Sequence, residues 1–218
     1  MFNAVTIARE YGSGGAEVGR RVAERLGWKF VDREIIERVA ALGKVDRHWA
    51  EQADEHCCAW WERVLRGFRH GGPEIYVGGV ADTGVDRDSL QRFTAHVIEE
   101  AGKTGNCVIL GRGAQCILRD HPEVLHVLVY APRAEKIERM RDRHPGERDM
   151  GAVLQRIDSE RHHYIQNYYG CDSTERGLYH LCVNSTLGLD TCAGLIMNAI
   201  RFSAMKQRPE REETETAI

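Results

Sequence analysis

Two glycine-rich turns hold the residues of this chain best suited to chemistry on a phosphate. The first is Tyr11-Gly12-Ser13-Gly14-Gly15, and the second is Gly111-Arg112-Gly113. Each follows an apolar run that reads as a strand, residues 4–8 in one case and Cys107–Leu110 in the other. In α/β proteins ligands collect beyond the carboxyl ends of strands. Glycines let the backbone approach closely, and a following helix offers amide hydrogens and a positive dipole end to an anion. Gly12, Ser13, Gly14 and Gly15 are therefore candidates to surround a phosphate. A bare strand-to-helix turn that needs positive φ has the same composition. Arg112 suits bidentate phosphate binding, against the plainer reading of a β-turn with a solvated arginine.

The first turn lacks the lysine of the usual phosphate loop, GxxxxGK[ST]. In the two registers that end on these glycines, the lysine slot holds Gly15 or Ala16. One lost charge-assisted contact costs about 1.5–3 kcal/mol, roughly ten- to a hundredfold in rate. Phosphoryl transfer asks mainly for positioning and charge, so another cation could restore much of this. Arg9, at the end of the first strand, is the first candidate and Arg20, in the next helix, the second. Glu17 favours the helix dipole but opposes a nearby phosphate. A dinucleotide site is the rival. Gly12 and Gly14 begin GxGxxG and Asp32 falls where an acid meets a ribose, but the third glycine would be Glu17.

Positioning these residues requires a strand–helix alternation, and the chain shows one. Short apolar runs at 4–8, 29–31, 107–110, 124–130 and 178–183 alternate with helical patterns. Val18, Val22 and Leu26 recur four apart before Gly27. Further helices are expected over 89–102 (capped by Asp88-Ser89), 134–143, 149–169 and 190–205. This is the pattern of a parallel sheet covered on both faces, a three-layer α/β sandwich. Residues 44–87 break the alternation and read as an insertion beside a core of 1–43 and 88–206; the polar tail 207–218 reads as disordered.

Residues 133–161 hold seven arginines (133, 139, 141, 143, 148, 156 and 161) among seven acids. Exposed i,i+4 pairs account for most of them, while a basic lid over a polyphosphate is the functional reading. Asp158 and Arg161 lie three apart on one helical face. His162-His163 and His56-Cys57-Cys58 lack metal-ligand spacing, so no structural metal is expected.

Acids outnumber bases, 33 to 30, for a formal charge of −3, which argues against bulk binding to nucleic acid or acidic membranes. No apolar run is long enough to cross a bilayer, and the start has no signal-peptide pattern. The seven cysteines are odd in number, without CxxC spacing, and suit a reduced, cytoplasmic protein.

In order and spacing, "REYGSGGAEVGRRVAERLGWKFVDREII", "CVILGRGAQCIL", "HVLVYAPRAEKIERM" and "VNSTLGLD" resemble the cytidylate kinase-like family of P-loop nucleotide kinases, from Val5 to about Ile200. The resemblance implies a five-stranded parallel sheet of the P-loop nucleotide kinase type. It makes 44–87 a helical region binding a nucleoside monophosphate, and about 140–170 a helical lid. It implies transfer of the ATP γ-phosphoryl, with Mg2+, to CMP or a related monophosphate. Gly12, Ser13, Gly14 and Gly15 would then surround the donor phosphates. Arg38 and Arg112 would hold the acceptor phosphate, and Asp158 and Arg161 the acceptor nucleotide. Asn184, Ser185 and Thr186 match the family's strand-end motif, which could equally be a capping turn. The chain departs from the family at Ala16, where related sequences often carry an arginine, and at Gly113, where cytidylate kinases carry an acid. A nucleotide-binding regulator without turnover and a dinucleotide-binding oxidoreductase stand behind the kinase. The accepted base, the role of Trp49, Trp60 and Trp61, and any oligomer are open.

Overall fold

The computed structural model describes residues 1–32 and 87–205. Five strands form one parallel sheet: β1 (Ala4–Arg9), β2 (Lys29–Val31), β3 (Cys107–Leu110), β4 (Val124–Tyr130) and β5 (Leu181–Asn184), in the order β2-β3-β1-β4-β5. Helices α1 (Gly15–Leu26), α2 (Arg87–Thr104), α3 (Ala114–Ile117), α4 (Arg133–Arg141), α5 (Met150–Tyr169) and α6 (Leu189–Met205) connect and cover them. The expected three-layer sandwich is the architecture found. The strands read as apolar runs rather than alternating ones because both faces are buried.

One face of the sheet, carrying Val5, Ile7, Val127, Val129 and Val183, packs against α1 and α6 through Val18, Val22, Cys192, Ile196 and Ile200. Gly19 permits this approach, since a Cβ there would stand 3.0 Å from both Ile7 Cδ1 and Phe30 Cε2. Gly27 ends α1 in the left-handed conformation, as its place in the sequence suggests. The other face packs against α2 and α3 through Ile98, Ala101, Ile109 and Leu118, and against α5 through Ala8, Leu128 and Ile165. Met140, Met150 and Leu154 join α4 to α5 and pack on Tyr11 of the glycine loop.

Three strands have their expected bounds, and β1 runs one residue further because Arg9 pairs with Val129. The fifth differs: residues 178–183 read as a strand, but Arg176–Leu178 form a 3-10 turn and β5 begins only at Leu181. Leu178 and Tyr179 leave the sheet edge to fill the apolar cluster under α5, where the Tyr179 hydroxyl donates to Ser173 O at 2.8 Å. Asp88-Ser89, expected as a cap, lies within α2. The insertion at 44–87 falls mostly outside the described residues. No described helix is long and apolar enough to cross a membrane.

Among the described cysteines (107, 116, 171, 182 and 192) none is in a disulfide. Burial pushes the Cys107 thiol up to about 12 and raises that of Cys116 as well, so both behave as small apolar groups.

A buried imidazole makes stability depend on pH. His126, 3% exposed, shares a hydrogen bond between Nδ1 and Thr6 Oγ1 at 2.8 Å and stacks on His180 at 5.1 Å. Burial, and then the neighbouring His180, lower its pKa from 6.5 to about 4. The unfolded chain therefore binds this proton first as pH falls. Stability present above pH 6.5 is lost between there and about 4, of order 3 kcal/mol for such a difference. Melting temperatures from pH 7.5 to 4.5 are expected to fall less steeply in His126→Phe than in the wild type. Parallel curves would show that His126 is not the proton acceptor.

Candidate active site

At the end of β1 the chain turns through the glycine loop into α1. Ser13 braces the turn, its amide and hydroxyl both donating to Glu10 O, at 3.3 and 2.9 Å. Gly12 and Gly14 are left-handed, with φ of 80° and 79°. Side chains are excluded at both positions for a second reason. A Cβ on Gly12 would lie 3.0 Å from Lys136 O and Met140 Cγ, and one on Gly14 would lie 2.7 Å from Leu189 Cδ2. The amide hydrogens of Gly12, Gly14, Gly15 and Ala16 find no acceptor among the described residues. This is the arrangement that receives an anion at a helix start. Glu17 does not block it, since its carboxylate turns along α1 to Arg20 and Arg21, each at 3.2 Å.

The second turn is more strained. Gly111, Arg112 and Gly113 have φ of 72°, 59° and 73°, three left-handed residues in succession. Arginine rarely adopts this conformation, and such strain clusters at functional sites. Gly113 stands where the resemblance expects an acid, and a Cβ there would collide with the Tyr169 ring of α5. Arg9 joins the two turns: its Cβ fills the place of a Gly15 side chain, and its guanidinium lies against Gly111.

Helix α5 closes the site from above. Asp158 Oδ1 accepts from Tyr11 N at 2.6 Å, and Arg161 Nη1 donates to Arg9 O at 3.3 Å. The Arg161 guanidinium lies 5.4 Å from the Tyr11 ring centre, and the Tyr11 hydroxyl pairs with His144 Nε2 at 2.7 Å. Burial lowers the Arg161 pKa, opposed by Asp158 and Tyr11. Between α5 and the strand ends lies a cavity of about 630 Å³ whose walls include Arg9, Glu10, Arg112, Asp158, Arg161 and Tyr130. That volume suits a small-molecule ligand.

The structure thus brings Arg9, Arg112, Asp158 and Arg161 into one cavity beside the loop glycines. It does not bring Arg20 there. Arg20 is on the outer side of α1, paired with Glu17 and 5.3 Å from the Phe30 ring centre. A helix residue five positions past Gly15 points where its own face points, here toward solvent. Arg38 lies outside the described residues, as do Trp49, Trp60, Trp61 and the His56-Cys57-Cys58 run. Asn184 caps the turn after β5 by accepting from Thr186 N at 3.1 Å.

One cation escaped the sequence reading. Lys136 of α4 packs its Cβ on Gly12 and places its ammonium 2.9 Å from Glu10 Oε2 and 3.4 Å from Asp158 Oδ2. Its side chain is only 12% exposed. Both carboxylates line the cavity, so this ammonium stands at the boundary between loop and cavity. Arg139, one turn further along α4, reaches back to the loop at Ser13 O, 3.1 Å away. Helical spacing marked this segment as charged, but not which cations face inward.

The dinucleotide reading loses its geometry. It needs the strand bearing Asp32 beside β1, but β3 lies between β1 and β2. Adjacent strands are about 4.8 Å apart, so Asp32 is one strand spacing too far from the loop.

A family model described as the cytidylate kinase-like family matches residues 4–187. No curated protein matches. Among solved structures, an uncharacterised protein from Eubacterium ventriosum is similar, with a TM-score of 0.66 and 18% identity over 92% of this chain and 99% of its own. A shikimate kinase from Acinetobacter baumannii aligns at 0.46 and 15% over 96% and 97%. A gluconokinase from Sinorhizobium meliloti aligns at 0.48 and 14% over 93% and 97%.

Proposed function

The chain belongs to the cytidylate kinase-like family, and on that premise we propose that it is a nucleoside monophosphate kinase. It transfers the γ-phosphoryl of MgATP to CMP or a related monophosphate. One observation carries the reading: a loop with four amide hydrogens that find no acceptor among the described residues directly follows Arg9 and Glu10, which line a cavity that also gathers Arg112 and Arg161. Donor phosphates suit the first and an acceptor phosphate the second.

In the reaction an acceptor phosphate oxygen attacks the γ-phosphorus, the bond to the β-phosphate oxygen breaks, and ADP leaves. The protein needs no nucleophile of its own, only alignment and positive charge. Gly12, Gly14, Gly15 and Ala16 offer amide hydrogens to the donor. Arg112 and Arg161 hold the acceptor. Lys136 supplies, from α4, the ammonium that the loop itself lacks. Ser13's hydroxyl is committed to Glu10 O, so magnesium enters as part of the MgATP substrate.

Incubation with γ-labelled ATP and a panel of nucleoside monophosphates, resolved by thin-layer chromatography, tests the proposal. Label is expected in a nucleoside diphosphate, CMP or a related monophosphate being the acceptor. ATP binding by calorimetry without labelled product would instead favour a regulator that binds nucleotide without turnover, the reading supported by Ala16 in the lysine slot. Absence of both binding and transfer would refute the site.

A further inference from the structure

Glycines give the loop the freedom to form an anion cradle and equal freedom to leave it. Gly14 follows Ser13, so the peptide between them turns about Ser13 ψ and the φ of a glycine, and on the Gly14 side it meets little backbone resistance. Something must hold it, and among the described residues one side chain grips it. Arg139 Nη1 donates to Ser13 O at 3.1 Å and to Ser185 Oγ at 2.7 Å, while Nη2 donates to Ser185 O at 3.2 Å and to Glu135 Oε1 at 2.8 Å. Ser13 and Ser185 are both fully buried, so water does not compete for these oxygens.

We infer that Arg139 is the positioning residue of the phosphate loop: it fixes the Ser13–Gly14 peptide so that the Gly14 amide stays turned toward the donor phosphates. The reasoning is geometric. In a trans peptide the carbonyl and the amide hydrogen point to opposite sides of the chain. With Ser13 O held by the guanidinium, the Gly14 N–H must point away from Arg139. Four of the five guanidinium hydrogens go to protein oxygens, so Arg139 is not placed as a phosphate ligand. Its planar fork reaches oxygens on the glycine loop, on the turn after β5 and on α4 at once, which an ammonium cannot do. Ser185 thereby gains a role beyond capping: its carbonyl and hydroxyl anchor the arginine that anchors the loop. Two inward cations of α4 then divide the work of the missing lysine. Lys136 provides charge, and Arg139 provides shape.

This inference rests on the loop being the donor-phosphate site, and the test separates the two ideas. ATP and CMP dissociation constants are measured by calorimetry for wild type, Arg139→Met, Arg139→Lys and Ser185→Ala, with melting temperatures alongside. Arg139→Met is expected to weaken ATP about tenfold to a hundredfold and to leave CMP affinity unchanged. Arg139→Lys should recover only a minor part of the loss. Ser185→Ala keeps the guanidinium and its bonds to both carbonyls, and should weaken ATP by several-fold at a melting temperature near wild type. In a further variant, Arg139→Ala, millimolar guanidinium ion should partly restore ATP binding. Wild-type ATP affinity in folded Arg139→Met, or in Ser185→Ala should Arg139→Met fail to fold, overturns this inference alone. A wild-type protein that binds no ATP overturns it together with the donor site. Equal weakening of ATP and CMP would reduce Arg139 to a general structural residue and overturn it as well.

Discussion

Lys136→Met is expected to slow phosphoryl transfer by about a hundred- to a thousandfold, the usual cost of removing one preorganised group that meets developing charge. The Lys136 side chain is 12% exposed and its ammonium lies between Glu10 and Asp158. In that low-dielectric position its interaction with phosphoryl oxygens is stronger than at the surface. Its loss has a second consequence. Glu10 would lose the cation it shares with Asp158, while Asp158 keeps Arg161 at 3.4 Å, so the site would become less attractive to the incoming phosphate. The fold should tolerate the change. Glu10's side chain is 38% exposed, so water can solvate it when its partner goes. Lys136→Arg should keep most of the rate, because charge matters here more than the fork. Single-turnover measurements with saturating ATP and CMP would separate transfer from binding. Turnover of Lys136→Met at the wild-type rate would remove the lysine from the mechanism.

That α4 turns a lysine toward the glycine loop was not legible in the sequence, and the reason is physical. Strand runs such as Cys107–Leu110 and Val124–Tyr130 announce themselves because burial on both faces forces an unbroken apolar pattern. The loop was equally visible, since only glycine meets its positive φ and its close contacts with Lys136, Met140 and Leu189. Helix α4 gives no such signal. Ile137 and Met140 mark its buried side, but which of the flanking charges reach the loop depends on where the helix lies against it. Arg141 and Arg143 are exposed, as the plain reading of the arginine-rich segment expects, while Lys136 and Arg139 reach into the site. Arg9 was found because the end of a central strand has one direction to point. Arg20 was nominated on proximity in sequence, which a helix does not convert into proximity in space. The fifth strand failed for a similar reason, since Leu178 and Tyr179 look like sheet residues but are buried against α5.

Arg112→Gly is expected to separate stability from activity. Arg112 sits at φ 59°, between two glycines that are also left-handed. An arginine held in that region carries about 1–2 kcal/mol of backbone strain. Glycine there relieves the strain, and its larger unfolded-state entropy gives part of that back. The melting temperature should therefore stay level or rise by a few degrees, at about 2–4 °C per kcal/mol for a chain of this size. The cavity loses the arginine to which the proposed function gives the acceptor phosphate, and kcat/KM for CMP should fall by about a hundredfold or more. Arg112→Lys keeps both the strain and the charge but loses the fork, so it should fall between the two in activity without gaining stability. A melting temperature that drops by several degrees in Arg112→Gly would make Arg112 a structural anchor instead. Unchanged kcat/KM would show that the acceptor phosphate is held elsewhere in the cavity. The combination of a steadier fold and a failed reaction is what identifies strain maintained for catalysis.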